Sequence, residues 1–416
     1  MKTIDTYNVK IFTDNVDDVA IEQIKTLLGI NVFAGAKIRI MPDVHAGAGC
    51  VIGFTGDLGD KVIPNIVGVD IGCGMRVVKM RIKNGIDLHR FNQRIEAQIP
   101  SGRDIRSDLA VSRFEGGELE IYREAKDIVT SLRCYRELKE QKRLYKSIGT
   151  LGGGNHFIEL DRDEDGYVYL VVHTGSRNLG KQVAEIYQTL AVKHFSGWDE
   201  LVARQNRMIA EYKAAGRRAE LQTAIAKLHR EFKLHNPELP RDLCYVEGQT
   251  RDDYLHDMRL CQRWAVLNRR LIASQLTSFF KGAELVETFE TIHNYIGDDN
   301  IIRKGAISAR KGERCIIPLN MRDGALICTG KGNEDWNFSA PHGAGRILSR
   351  TQAYARITMD DFKTSMAGIY SESINEFTRD ESPMVYKPAA EIIANITPTV
   401  NVDTIIKPIF NYKASK

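Results

Sequence analysis

The chain has 416 residues, with a formal net charge of +4, 27% charged and 43% hydrophobic residues. Such values describe a folded globular protein and exclude binding of a polyanion through the overall field, so any such site must come from a local Lys/Arg cluster. No apolar run approaches the roughly 20 residues that span a membrane and Met1–Asp5 does not open a signal core, which points to a cytoplasmic protein. Its seven cysteines (Cys50, Cys73, Cys134, Cys244, Cys261, Cys315 and Cys328) are scattered without a CxxC pair, against a disulfide framework or a zinc finger.

Residues 15–29 place Val19, Ile21, Ile24, Leu27 and Leu28 at helical spacing. A β-type run over 36–41 follows and ends in Pro42-Asp43-Val44-His45 beside glycines, where polar groups at a strand end either cap a turn or bind. Short strands are predicted at 51–54 and 61–64. Gly68-Val69-Asp70-Ile71-Gly72-Cys73-Gly74 then sets a carboxylate three residues from a thiol within flexible glycines. Hard oxygen and thiolate suit a borderline metal such as Mn, Fe, Co or Zn, and a thiolate can bridge two ions. A strand over 75–80 leaves this segment, and 86–147 is polar and helical, with 137–140 on a solvated face.

A glycine-rich turn at 149–154 feeds Asn155-His156-Phe157-Ile158-Glu159, and the strand at 167–172 delivers His173. Residues 181–280 read as a helical insertion interrupted at Pro237 and Pro240, with His194, His229, His235 and His256 in surface or capping roles. The strand at 284–289 leads to His293-Asn294, and further β pattern covers 304–310, 315–318 and 325–328. His342-Gly343-Ala344-Gly345-Arg346 closes the series; a helix starting near Gly343 would put Arg346 and Arg350 on one face, with its N-terminus near His342, a setting for phosphate.

Asp70, Cys73, His156, His173 and His293 make five candidate ligands, more than one closed tetrahedral site takes and enough for two ions around a bridging thiolate. His342, with arginines nearby, fits a phosphate-binding donor, a structural histidine or a nucleophile attacking phosphorus, the donor ranking first on chemistry alone.

The segments MPDVHAGAG at 41–49, VGVDIGCGM at 67–75, GTLGGGNHFIE at 149–159, HTGSR at 173–177, HNY at 293–295, RKGAISAR at 303–310, HGAGRILSR at 342–350 and PMVYK at 383–387 together resemble the RtcB family of RNA-splicing ligases, in family order along nearly the whole chain. The resemblance implies an α/β (α+β) fold in one catalytic domain over residues 1–416, a β-rich body around a central dimetal cleft. It implies two Mn2+ ions, GTP as co-substrate, and joining of RNA ends bearing 2′,3′-cyclic phosphate or 3′-phosphate to 5′-hydroxyl ends, in RNA repair or tRNA splicing. Cys73 would bridge the metals, Asp70 and His156 completing one site and His173 and His293 the other. His342 becomes the nucleophile that takes GMP, which reverses the donor ranking. GTP would be held by Asn155, His156, Phe157, Ile158, Glu159, His293, Asn294, Pro318, Leu319, Asn320, Met321, Ala325, His342, Gly343, Ala344, Gly345 and Lys413, with Asp43, Arg346 and Arg350 supporting the site or binding RNA phosphates. Two departures stand out: Leu319-Asn320-Met321-Arg322-Asp323-Gly324 replaces a Gly-Ser-Met-Gly turn, and Ile292 precedes His293 where some relatives have histidine; a divergent repair branch is one expectation. The alternatives are a dimetal phosphoesterase that opens cyclic phosphates without ligating, and a non-catalytic RNA-end binder.

Overall fold

The computed structural model describes residues 2–4 and 8–414, so the reading of Met1–Asp5 falls partly outside it. β-branched and aromatic runs build two main sheets. The first has the strand order Lys2–Ile4, Val9–Ile11, Ile38–His45, Ile52–Asp57, Ile301–Lys304, Asn294–Ile296. The second runs Glu284–Ile292, Gly74–Arg81, Val168–Thr174, Phe157–Arg162, Val400–Lys413, Gly324–Gly330, Arg314–Asn320, every neighbour antiparallel. Strands 168–174 and 38–45 are buried almost throughout, which is why they read as continuous apolar runs rather than alternating ones. The mixed α/β architecture is the one expected from the sequence.

The N-terminal helix, Asp18–Leu28, is capped by the Asp17 carboxylate and buries Ala20, Ile24, Leu27 and Leu28. The 61–64 strand is shorter than predicted. It ends at Val62 because Pro64 starts a helical turn, its missing N–H costing nothing at that position. The 181–280 region divides into helices Arg177–His194, Trp198–Ala214, Leu221–Glu231 and Gly248–Thr277, so turns at 195–197 and 215–220 interrupt it as well as the extended segment holding Pro237 and Pro240. Its last helix is core: Tyr254, Met258, Cys261, Trp264, Leu267 and Leu271 are buried in one cluster with the first sheet's apolar face, while Ile272 and Leu276 join the cluster behind the second. All seven cysteines are free and buried. Among the described residues no helix is long and apolar enough to cross a membrane.

Candidate metal centre and nucleotide cavity

Strand register assembles the candidate ligands. Gly74 lies opposite both Thr174 and Ile292, and His173 lies opposite both Met75 and Phe157. Cys73 and His156 each sit one residue before their strands and His293 one residue after its own, so four side chains converge where three neighbouring strand junctions meet. The His293 amide donates to the Cys73 carbonyl at 2.9 Å and the Gly72 amide to the Asn294 carbonyl at 2.7 Å, pinning the junction. Asp70 comes from the preceding turn, where its Oδ1 accepts from the Ser176 amide. A Cβ on Gly175 would stand 2.3 Å from Asp70 Oδ1, so any larger residue there would push the carboxylate out of place.

Two groups result: Cys73, His173 and His293, and Asp70, Cys73 and His156, the ligand atoms within each lying inside 4.8 Å of one another. Cys73 Sγ belongs to both and stands 3.4 Å from Nε2 of His156 and of His173. His156 Nδ1 is 2.9 Å from the Leu151 carbonyl, which can only accept, so Nδ1 carries the hydrogen and Nε2 of the neutral ring offers a lone pair. That lone pair faces Asp70 Oδ2 at 2.9 Å and the Cys73 sulfur. Without an ion a proton on the thiol or on Nε2 stands between these atoms; a metal ion in its place would take a lone pair from all three, so the residues present fit a metal.

Electrostatics agree. Burial drives His173 and His293 well below the ordinary histidine value, helped by the neighbouring imidazoles, so both are neutral lone-pair donors. Burial and the Asp70 carboxylate push the Cys73 thiol well up, with Arg269 pulling the other way; a bound cation reverses that balance and makes the thiolate. Burial also works against ionising Asp70; with no cation present, a proton on His156 Nε2 outweighs it by hydrogen bond and charge and holds the carboxyl below its usual value, and a metal ion would take that proton's place.

Of the five ligand residues His173 lines a cavity of about 790 Å³, which is nucleotide-sized, whereas Asp70, Cys73 and the two expected nucleotide contacts His156 and His293 do not line it. Of the expected nucleotide contacts, Asn155, Phe157, Glu159, Pro318, Leu319, Asn320, Met321, His342, Gly343, Ala344, Gly345 and Lys413 line it, as do Arg346 and Arg350. Ile158 and Ala325 do not: both are buried in core clusters, Ile158 because alternation turns it to the opposite face from Phe157 and Glu159. Asn294 instead clamps the junction, accepting from the Gly305 amide and donating to the Asp70 carbonyl.

His342 stands on the wall, its ring centroid 4.9 Å from that of His293. Its Nδ1 donates to Asp43 Oδ2 at 2.6 Å, and its backbone amide reaches the same oxygen at 3.1 Å. Asp43 is fully buried, and Gly345, at φ +76°, passes so close that a Cβ would lie 2.4 Å from the Asp43 carbonyl. The predicted helix at Gly343 is absent. The chain through 342–349 is irregular, Arg346 bridges to Tyr386, and the helix begins at Arg350 behind a Ser349/Gln352 capping box. Arg346 and Arg350 therefore share no helical face, yet both reach buried Glu381, which also meets Lys413 at 3.2 Å and accepts from Tyr386. Burial opposes a charge on Glu381, and Lys413 with the arginines overcomes it, keeping the carboxyl low.

Sequence reasoning left Asn268, Arg269, Glu381 and Tyr386 unassigned. Arg269 donates to the Gly72 and Thr174 carbonyls at 2.8 Å and pairs with Glu290, holding the metal-ligand turn from behind. Nothing local marks a Leu-Asn-Arg-Arg-Leu stretch of a long helix as buried. His45 lines the cavity too, and Arg177, in the HTGSR segment, reaches Thr150 and the Gly102 carbonyl.

Fold and site together define a mixed α/β protein with a candidate dinuclear centre beside a carboxylate–histidine pair. The family profile described as tRNA-splicing ligase RtcB matches residues 23–414. The chain is 30% identical to RNA-splicing ligase RtcB1 of Escherichia coli over 397 residues, covering 89% of this chain and 88% of the relative, and 29% identical to RNA-splicing ligase RtcB of strain K12 with the same coverage. It is 27% identical to tRNA-splicing ligase RtcB of Aeropyrum pernix, covering 94% of this chain and 92% of that one. The chain belongs to the RtcB family.

Proposed function

We propose that this protein is a cytoplasmic, GTP- and Mn2+-dependent RNA ligase. It joins RNA ends carrying 2′,3′-cyclic phosphate or 3′-phosphate to 5′-hydroxyl ends through GMP bound to His342, in RNA repair or tRNA splicing. The whole chain acts as one catalytic domain, helices 181–280 being an insertion whose last member supports the centre. The relatives' names supply the RNA substrate; the observation that carries the chemistry is the hydrogen bond from His342 Nδ1 to buried Asp43. A carboxylate accepting from Nδ1 leaves Nε2 as a free lone pair on the cavity, the atom a phosphorus nucleophile needs.

Cys73 would be shared by two Mn2+ ions, Asp70 and His156 completing one set and His173 and His293 the other. Bound there, the ions neutralise and orient phosphate oxygens. Asn155, Phe157, Glu159, Lys413 and the 343–345 turn hold the guanylate, and His342 Nε2 attacks the α-phosphorus as pyrophosphate leaves. GMP then passes to the RNA 3′-phosphate, and the 5′-hydroxyl displaces it. Arg350, more than half exposed at the rim, is better placed for RNA phosphate than Arg346, which Glu381 and the Asp380 and Leu348 carbonyls engage.

The test is intact-protein mass after incubation with Mn2+ and GTP. A GMP-sized gain in the wild type that is absent from His342→Ala supports the ligase. No gain, with cyclic-phosphate opening that survives His342→Ala, selects the phosphoesterase.

A further inference from the structure

The cavity contains a second histidine with no task in the scheme above. His45 ends strand Ile38–His45 and lines the same wall as His342. Its Nδ1 lies 2.9 Å from the Asp43 carbonyl, which can only accept, so Nδ1 carries the hydrogen and Nε2 of the neutral ring keeps its lone pair. Among the described residues no group hydrogen-bonds that Nε2. Burial, together with the charge of Arg346, lowers the affinity of His45 for a second proton, while the Asp43 carbonyl and carboxylate pull the other way. Asp43 thus fixes two rings at once, its side chain holding His342 Nδ1 and its main-chain carbonyl holding His45 Nδ1. Both are left with a bare Nε2 on one cavity.

The proposed reaction, on which this inference rests, has use for two such atoms but of different kinds. His342 attacks GTP with its bare Nε2 and the RNA 3′-phosphate attacks as an anion; neither attacking atom carries a proton, and the Nδ1 proton of His342 faces Asp43. The 5′-hydroxyl does. We propose that His45 is the general base of the sealing step. As O5′ bonds to the activated 3′-phosphorus, the hydroxyl proton passes to His45 Nε2, and the P–O bond to GMP breaks with its electron pair leaving on GMP. The imidazolium then gives its proton to departing GMP or to solvent and is neutral again.

His45→Asn separates this from a packing role, because the Asn amide can still donate to the Asp43 carbonyl but is no base. Two rates are read on the full-length protein with Mn2+: GMP-adduct formation by intact mass, and single-turnover sealing of RNA already activated as a 3′-end guanylate anhydride with a 5′-hydroxyl RNA. In His45→Asn sealing is expected to fall about 10²–10⁴-fold further than adduct formation, the range of a lost general base. Added imidazole is expected to restore part of the sealing in His45→Ala. Equal losses in both rates, or sealing at the wild-type rate, overturn the assignment. A wild type that forms no adduct overturns instead the ligase reading beneath it.

Discussion

Cys73 is the one ligand common to both candidate groups, so removing it differs in kind from removing any other. Cys73→Ala is expected to abolish both Mn2+ sites, whereas Asp70→Asn or His293→Ala weakens one and spares the other. Equilibrium dialysis with elemental analysis reads this directly, as about zero against about one ion per chain; equal stoichiometry in all three variants would remove the bridge. Asp43 acts at the same scale on another atom. Asp43→Asn keeps the shape but offers His342 Nδ1 a donor, which favours the ring form with hydrogen on Nε2 and hides the attacking lone pair. Adduct formation is expected to slow by about 10³–10⁴-fold, the scale of a wrong-tautomer change in a carboxylate–histidine pair. A change below tenfold in the rate of mass gain would show that the pair does not orient the nucleophile.

At the scale of elements, helix Gly248–Thr277 bears on the site most. Asn268 Oδ1 accepts from the Gly149 and Thr150 amides, and its Nδ2 donates to the Thr150 and Gly175 carbonyls, so one fully buried amide ties the glycine turn before His156 to the turn after His173. Asn268→Ala strands these groups and is expected to cost about 2–4 kcal/mol, read from the denaturant midpoint at unchanged slope. A loss under about 0.5 kcal/mol would mean that the turns hold themselves. This role was not legible in the sequence, since nothing within a helix announces a partner more than a hundred residues away. Strand ends carrying His173 and His293 were legible, because β-branched runs stop at them. Their convergence with Cys73 depends on register between distant strands and was reached only by resemblance. The misplaced helix start has a local cause: Gly343 and Gly345 suggested a turn feeding a helix, while the Ser349-x-x-Gln352 box that actually starts it lies six residues on. Ile158 and Ala325 were named by proximity in sequence, although strand alternation turns Ile158 into the core.

Over the whole molecule, the centre joins turns, both sheets and the long helix, so its occupancy bears on global stability. Mn2+ at a hundred times its dissociation constant is expected to add about 2.7 kcal/mol per site, lost on chelation and read as a fall in the thermal midpoint. The chelated protein exposes one more electrostatic cost. Asp161 is fully buried with neither oxygen hydrogen-bonded among the described residues, and Glu159, two residues along the same strand face, is nearly as buried. Burial raises both carboxyls, Glu159 to about 7 despite the Asn411 hydrogen bond and Lys413, and Asp161 well above its ordinary value with the Glu159 charge adding to the effect. The folded state therefore binds protons that the unfolded chain releases above the ordinary carboxylate range, and these groups cost stability increasingly as pH rises from about 5 to 8. The buried histidines His173 and His293 act oppositely, gaining stability up to about pH 6.5, so the net trend of the wild type alone is uninformative. Comparison with Asp161→Asn cancels them. The stability advantage of the variant is expected to grow with pH by up to about 1.4 kcal/mol per unit, the linkage slope of one proton. Urea midpoints of both chelated proteins at pH 5.5, 6.5 and 8 decide it: a difference that stays flat would mean that Asp161 is ionised in the fold and that a counter-charge answers it there.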